Sequence, residues 1–250
     1  MKLFSLFLVF LFSINQITAQ DYNAVIKEAD KLEAIQDEKA ALSKFKEALI
    51  YQPTSLYALA KCSELYCRVG GREKSTKVRD EYYATAQVYA KRALKLYPNS
   101  DEANVAMAFS IAKTLMLKSG KDKITAVKEL KSYGDKAVSE NSRNFKAWHV
   151  LGKWNYEVSS LSAIERTAVK IIYGGLPSAS LSNSIMYYEK AKSLAPNFTL
   201  NYLELAKAYN KNEEKAKALT QLNYLLAIKN HTEDDPRIKA EAQTLIKKWK

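Results

Sequence analysis

The chain has 250 residues and a formal net charge of +12, and its seven glycines and five prolines are few for this length. This composition favours a protein that is nearly all helix. A basic excess can indicate nucleic-acid binding, but the lysines here alternate with acidic residues, as in KSYGDKAVSE. We therefore interpret them as solvated helix faces and predict no nucleic-acid partner.

The first twenty residues, MKLFSLFLVFLFSINQITAQ, have the pattern of a secretory signal peptide. A single basic residue, Lys2, precedes an apolar run over residues 3–12, and a short polar stretch follows. The run is about half of the ~20 residues that cross a bilayer as a helix. We predict cleavage after Ala19 or Gln20, a periplasmic or secreted mature protein, and no integral membrane segment.

The rest of the chain repeats one pattern at intervals. The segments EALIYQP, RALKLYP and KAKSLAP end at Pro53, Pro98 and Pro196, and a new helix is predicted two or three residues after each. One such helix carries Trp148, Leu151 and Gly152, the W-x2-L-G opening of a tetratricopeptide repeat. We predict an all-α, right-handed α-α superhelix, that is, a tetratricopeptide-like solenoid occupying residues 21–250. The predicted repeats are 22–53, 56–98, 101–142, 145–196 and 199–230, followed by a capping helix over 234–249.

Several residues of this pattern are predicted to serve packing. Trp148 and Leu151 share a helix face with Gly152, whose small size would let the partner helix approach closely. Cys62 and Cys67 are five residues apart on one helix, so their side chains point in different directions and cannot form a disulfide. We interpret all five residues as structural.

Two repeats are longer than the usual 34 residues. In the second, RVGGREKSTKVRD predicts a turn at the Gly-Gly pair. In the fourth, helical spacing of Val158, Leu161, Ile164, Ala168 and Ile172 predicts that the first helix continues as far as Gly174. This insertion, residues 158–176, is apolar enough to require cover by other residues.

The C-terminal half resembles one particular family. The helix WHVLGKW, the segment LSAIERTAV, a Gly-Leu-Pro-Ser turn, the helix YYEKAKSLAPNF and the closing HTEDDPRIKAEAQTLI are similar to the regulator of microtubule dynamics family. The match is densest over residues 145–250. A single Pro177 stands where a proline pair is expected, and the signal peptide replaces the organelle anchoring of animal members. The resemblance implies the repeat fold and a non-catalytic role, but not microtubule association.

The sequence shows no constellation of residues for catalysis. It lacks phosphate-binding, dinucleotide-binding, zinc-protease and nucleophile-elbow motifs, and its two histidines, His149 and His231, lie in different repeats. Glu165 and Arg166 are interpreted as a structural pair that clamps the insertion to neighbouring repeats. We therefore predict a protein that is not an enzyme and has no cofactor and no metal site.

The remaining candidate site is the concave groove of the solenoid. We predict that it binds a peptide or protein segment with an acidic portion; the alternative is an apolar, anionic small ligand such as a lipid. Tyr57, Val105 and Phe109 would contact the apolar portion, and a basic stripe on the fourth and fifth repeats would contact the anionic end. The predicted groove residues are Tyr57, Val105, Phe109, Lys146, His149, Lys153, Tyr156 and Lys207.

Overall fold

The computed structural model describes residues 21–249, apart from the side chain of Met116. The predicted signal peptide lies outside the described residues. All regular structure in the described part is helical, which confirms the predicted fold class. The helices are α1 (residues 21–34), α2 (Glu38–Tyr51), α3 (Leu56–Arg72), α4 (Thr76–Leu96), α5 (Asp101–Thr114), a 3-10 turn (Leu115–Leu117), α6 (Gly120–Glu140), α7 (Phe145–Ser159), α8 (Ala163–Tyr173), α9 (Leu181–Leu194), α10 (Thr199–Lys211), α11 (Lys215–Ala227) and α12 (Asp235–Trp249).

Serine side chains determine where several of these helices begin. Ser55, Ser75 and Ser100 each precede a helix and accept a hydrogen bond from the backbone N–H three residues further on. Such caps satisfy one of the N–H groups that a helix start leaves without a partner. Each of these three helices therefore starts directly after a serine.

The core lies between the helices of successive pairs. Phe45, Leu59 and Leu65 are fully buried in the first pairs, and Leu205 and Leu222 are fully buried in the last. The helix α12 extends the second cluster through Ile238, Ala242 and Ile246. It thus covers the end of the α10–α11 pair, as a capping helix would.

Two glycines mark close helix contacts. A Cβ atom added at Gly152 would lie 2.7 Å from Cδ1 of Tyr188, so α7 and α9 pack as closely as the sequence predicted. The prediction of a turn at Gly70 and Gly71 is wrong, because α3 continues through both residues to Arg72. A Cβ at Gly70 would lie 2.5 Å from Cβ of Tyr82, so this glycine allows α4 to pack closely against α3 and does not form a turn.

The insertion differs from its prediction. The first helix of the fourth repeat ends at Ser159, and α8 forms a separate helix that begins at Ala163. Ser162 caps α8, and Glu165 reciprocates by accepting the Ser162 N–H, which together form a capping box. Glu165 therefore supports its own helix start and does not clamp the insertion to another repeat. Arg166 donates to the nearby Leu161 carbonyl at 2.7 Å.

The two ends of the superhelix meet. The backbone N–H of Glu38 donates to Glu233 Oε1 at 2.8 Å, and the N–H of Glu233 donates to Glu38 Oε1 at 3.0 Å. Arg72 Nη1 lies 2.8 Å from Glu38 Oε2, and Arg72 Nη2 lies 3.2 Å from Glu233 Oε2. The Gln36 amide donates to the Asn230 carbonyl at 3.1 Å. We call Gln36, Glu38, Arg72, Asn230 and Glu233 the end clasp.

None of the helices described between residues 21 and 249 is long and apolar enough to cross a membrane.

Candidate functional site

The inner wall of the superhelix is built by the first helices of the pairs, α1, α3, α5, α7 and α10, together with α12. Charged side chains on these helices pair with one another from one helix to the next. Six of the eight predicted groove residues keep part of their surface exposed, and two do not. The exposed six are Tyr57, Phe109, Lys146, Lys153, Tyr156 and Lys207.

Tyr57 presents its ring at the α1–α3 end of the wall. The side chain is 37% exposed, and its hydroxyl donates to Asp30 Oδ1 at 2.6 Å. Lys61 Nζ lies 5.7 Å from the ring centroid, close enough for a cation–π interaction. Partial burial, followed by the hydrogen bond to Asp30, raises the pKa of the Tyr57 phenol. The phenol therefore remains a neutral donor at physiological pH.

Lys146 connects the middle of the wall to the second repeat. Its Nζ lies 2.5 Å from Glu64 Oε2 on α3, although the two residues are 82 positions apart. Burial disfavours the charged form of Glu64, but Lys146, Lys61 and Arg68 outweigh it and lower the pKa of the carboxyl to about 2. Lys146 thus joins α7 to a network of ion pairs on α3.

Lys153 and Lys207 share one buried carboxylate. Glu204 on α10 accepts from Lys153 at 2.8 Å and from Lys207 at 2.9 Å. Each lysine also has a second partner: Glu157 lies 2.9 Å from Lys153, and Glu241 lies 2.8 Å from Lys207. Burial acts to raise the pKa of Glu204, but the two lysines produce a net lowering. The pKa values of Lys153 and Lys207 are raised by the same carboxylate, so Glu204 is a carboxylate between two ammonium groups at neutral pH.

Tyr156 completes this part of the wall. Lys153 Nζ lies 5.7 Å from its ring centroid and Lys211 Nζ lies 5.2 Å away. The ring is partly exposed between two ammonium groups. It offers an aromatic surface beside the pairs formed by Lys153 and Glu204.

Val105 does not line the wall. It is 5% exposed and packs with Ala137 of α6, Ala147 of α7 and the partly buried Phe109. The helix α5 is largely enclosed by its neighbours, with nine of its 14 residues buried, so a position expected to face the groove lies in the core. The predicted contact between Val105 and a ligand is therefore wrong.

His149 is also a core residue. Its ring lies 4.9 Å from that of Phe198 and 5.4 Å from that of Tyr188, between ring centroids. Asn201 uses its amide nitrogen to donate to the Tyr188 carbonyl, so its Oδ1 accepts from His149 Nδ1 at 3.0 Å. Burial lowers the pKa of the imidazole. His149 is thus neutral and enclosed, and cannot contribute to a basic stripe.

The lysines of the predicted basic stripe are therefore not free charges. Lys146, Lys153 and Lys207 each have a carboxylate partner. Glu64 belongs to the second repeat, Glu204 is buried on α10, and Glu241 belongs to the capping helix. The spacing of residues within one helix could not show that these carboxylates, which lie in other helices or repeats, pair with the lysines of the stripe.

Trp148 serves packing, but at the edge of the core. Its ring contacts Tyr187 of α9 at 5.4 Å between centroids, and its indole N–H donates to the Ser142 carbonyl at 2.8 Å. The side chain stays partly exposed. Trp154 is the buried tryptophan of α7, and its indole N–H donates to the Val127 carbonyl at 2.9 Å.

Cys62 and Cys67 are buried free thiols. Within residues 21–249, no group of three or more His, Cys, Asp and Glu side chains is arranged to hold a metal ion.

Solved structures support the fold assignment. A thermophilic TPR protein of Thermus thermophilus superposes with a TM-score of 0.63, at 15% identity, over 89% of this chain and 99% of that protein. The structure of Pseudomonas aeruginosa pilF gives a TM-score of 0.52, at 13% identity, over 92% of both chains. At these identities the likeness concerns the tetratricopeptide fold alone.

Sequence relatives are more specific. Regulator of microtubule dynamics protein 1 of Bos taurus is 28% identical over 95% of this chain and 72% of the relative. The Mus musculus protein of the same name is 30% identical over 63% of this chain and 52% of the relative. The chain therefore spans between about half and three quarters of these relatives. The family model described as Regulator of microtubule dynamics protein 1-3 matches residues 25–250. Because this match covers nearly the whole chain, the protein belongs to the regulator of microtubule dynamics family.

Proposed function

We propose that this protein is a non-catalytic scaffold whose inner wall binds a peptide or protein segment outside the cytoplasm. The observation that carries the proposal is the wall itself. Tyr57 and Tyr156 present partly exposed rings, and Lys146, Lys153 and Lys207 are held at fixed positions by carboxylates of other helices. Such a surface offers stacking, hydrogen bonding and charges of both signs, which is what an extended peptide requires. The location rests on the signal-peptide pattern of residues 1–20.

An acidic segment can bind this wall if its carboxylates replace some of those that already pair with the lysines. Glu157 and Glu241 are 59% and 41% exposed, whereas Glu204 is 8% exposed. Exposed ion pairs contribute only about 0–1 kcal/mol to stability, so breaking the outer pairs costs little. The partner's carboxylates would replace Glu157 and Glu241, while Glu204 keeps Lys153 and Lys207 in place.

The alternative of an apolar, anionic ligand such as a lipid has less support. Val105, which was to contact the acyl portion, is buried between α5, α6 and α7. The wall around Lys153 and Lys207 is polar, and an acyl chain there would desolvate charged groups without replacing their hydrogen bonds. Mass spectrometry of an organic extract of the purified protein would detect a bound lipid, and finding one would favour this alternative.

The test of peptide binding begins with a random peptide library displayed on phage and panned against the purified protein. We expect enriched peptides that contain both an acidic residue and an aromatic residue. Titration calorimetry then compares the parent with the double variant Glu157→Gln and Glu241→Gln. Removal of the competing carboxylates should tighten binding by about twofold to tenfold, since each exposed pair contributes at most about 1 kcal/mol.

The matched control is the double variant Glu129→Gln and Glu140→Gln, which removes two exposed acids from α6. An equal gain in affinity for this control would show that only net charge matters and would count against the wall. Tyr57→Ala should weaken binding at the other end. The proposal fails if no peptide is enriched, or if all these variants bind alike.

A further inference from the structure

The helix α8 stands away from the body of the protein. None of its residues is buried, and its apolar side chains are strongly exposed: Ile164 by 82%, Ile171 by 78% and Ile172 by 63%. One tertiary hydrogen bond joins it to α6, from Lys128 Nζ to the Tyr173 carbonyl at 3.1 Å. Its conformation therefore depends mainly on local interactions.

Both ends of α8 are capped by the chain itself. The capping box of Ser162 and Glu165 fixes the start. At the end, Gly174 adopts a positive φ of 71°, and the N–H groups of Gly174 and Gly175 donate to the carbonyls of Lys170 and Val169. This arrangement closes a helix without help from tertiary packing. The helix is thus formed while its apolar face remains uncovered.

The exposed apolar side chains lie on one face. Ile164, Ala168, Ile171 and Ile172 have the spacing i, i+4, i+7 and i+8, which aligns them along one side of a helix. Soluble proteins rarely leave a contiguous aliphatic surface of this kind without a partner. The face presents only methyl and methylene groups, so it offers no side-chain hydrogen-bonding group at its centre.

Basic residues lie near one end of this face. The start of α6 lies beside the end of α8, because a Cβ added at Gly120 would be 3.4 Å from the Tyr173 hydroxyl. Leu117, three residues before Gly120, is 48% exposed. Segments 117–128 and 161–175 together carry six basic residues and two acidic ones, Asp122 and Glu165. The basic residues are Lys118, Lys121, Lys123 and Lys128, before and in the first half of α6, and Arg166 and Lys170, which project from the side of α8 opposite the apolar face.

We infer that the apolar face of α8, with Leu117 and the lysines at the start of α6, docks the protein on an anionic lipid surface. An amphipathic helix with aliphatic residues on one face and cationic residues beside it lies in the interface, with its apolar side among the upper acyl chains. Lysine and arginine stems extend toward the headgroups while their charges remain hydrated. A protein partner is disfavoured, since specific protein interfaces carry about one hydrogen bond per 100–200 Å² and this face supplies none.

The experiment places an environment-sensitive NBD fluorophore on the full chain at Ile171→Cys. Cys62 and Cys67 are buried, which raises the pKa of each thiol to about 12, so they should not compete for the label at neutral pH. With vesicles of phosphatidylcholine and phosphatidylglycerol in equal amounts, we expect the emission to shift to the blue and to intensify. Vesicles of phosphatidylcholine alone should give a much smaller change.

The matched control carries the label at Val88→Cys, an isolated exposed aliphatic position on α4 beside Lys91 and Arg92. Its emission should not change. The fluorophore reports only its immediate surroundings. If the protein attached to the vesicles through residues 1–20 instead, the emission of the label at position 171 would not change, and this result would overturn the inference. An equal emission shift from the label at position 88 would also overturn it. So would an emission shift at position 171 that appears without vesicles and depends on protein concentration.

A charge variant tests the basic rim separately. Lys121→Gln with Lys123→Gln should weaken partition into the anionic vesicles by about tenfold, because each lysine near such a surface adds several-fold to binding. Lys215→Gln with Lys217→Gln, which removes two exposed lysines from α11, should have little effect. Equal losses in the two variants would mean that only net charge attracts the protein, and the proposed surface would be wrong.

Discussion

A buried imidazole such as that of His149 binds a proton more readily in the unfolded chain than in the folded one. Its neighbours Phe198 and Tyr188 exclude water, and its one hydrogen bond, to Asn201, is satisfied by the neutral ring. Protonation in place would bury a charge with no carboxylate in contact. The folded protein therefore disfavours the proton that the unfolded chain accepts.

This difference predicts a pH dependence of stability. Burial lowers the pKa of His149 below its ordinary value of 6.5. As the pH falls through 6.5 the unfolded chain takes up a proton first, so the free energy of unfolding should fall by up to about 1.4 kcal/mol per pH unit. Urea unfolding at pH 7.5 and 5.5 measures the loss. His149→Gln should abolish this loss, and His231→Gln, at an exposed position, should retain it. A parent protein equally stable at both pH values would contradict the prediction.

At the scale of elements, the closeness of α7 and α9 depends on Gly152. Ser184 of α9 donates to the Gly152 carbonyl at 2.8 Å, and the Tyr188 ring lies where a side chain at position 152 would extend. The Tyr188 ring is fully buried and cannot move aside without displacing its neighbours. The helices α7 and α9 therefore pack closely because position 152 has no side chain.

We expect Gly152→Ala to lower the free energy of unfolding by about 1–3 kcal/mol through overpacking. The matched control is Gly71→Ala, also within a helix, where the nearest atom to an added Cβ is the Tyr83 hydroxyl at 3.6 Å. This substitution should be neutral or stabilising by up to about 1 kcal/mol, since alanine favours helix more than glycine does. Chemical denaturation of both variants provides the measurement. Equal effects at the two positions would refute the overpacking argument.

Local patterns in the sequence predict the helices and their packing faces. Gly152 marks a close contact within one helix pair, and Pro53, Pro98 and Pro196 mark where a pair ends, so both signals can be read directly. Ser162 and Glu165 also carried a readable capping signal, yet the apolar spacing from Val158 to Ile172 suggested one continuous helix. The ion pair of Lys146 with Glu64 is different in kind. It depends on the accumulated curvature of several repeats, which no local spacing encodes.

At the scale of the whole molecule, the end clasp joins the first repeat to the segment before α12. Glu38 is fully buried and pairs with both Arg68 and Arg72. Arg72 also reaches Glu233 and Asp234. A charge enclosed in this way is tolerated only while its partners stay in place. The relative position of the two ends should therefore depend on Arg72.

We expect Arg72→Gln to lower the free energy of unfolding by about 2–3 kcal/mol, less than the full loss of a buried pair because Arg68 remains. Spin labels at Lys39→Cys and Arg237→Cys, two exposed positions beside the clasp, would report the separation of the ends by pulsed electron resonance. The parent should give one narrow distance distribution, and the variant a longer and broader one. Arg79→Gln is the control, since Arg79 pairs only with the adjacent Asp80 among the described residues. If the Arg72 variant kept the parent's distance distribution, the clasp would not hold the ends together.

The meeting of the two ends also limits how such a protein can evolve. An open array of repeats can gain or lose a unit, because each unit contacts only its neighbours. Here the deletion of one helix pair would carry Glu233 away from Glu38, and an added pair would rotate it past Arg72. The number of repeats is thus fixed by closure, and new material can enter only where it leaves the path of the superhelix unchanged. The segment holding α8 is an addition of this kind, placed between two helices that still pack directly against each other.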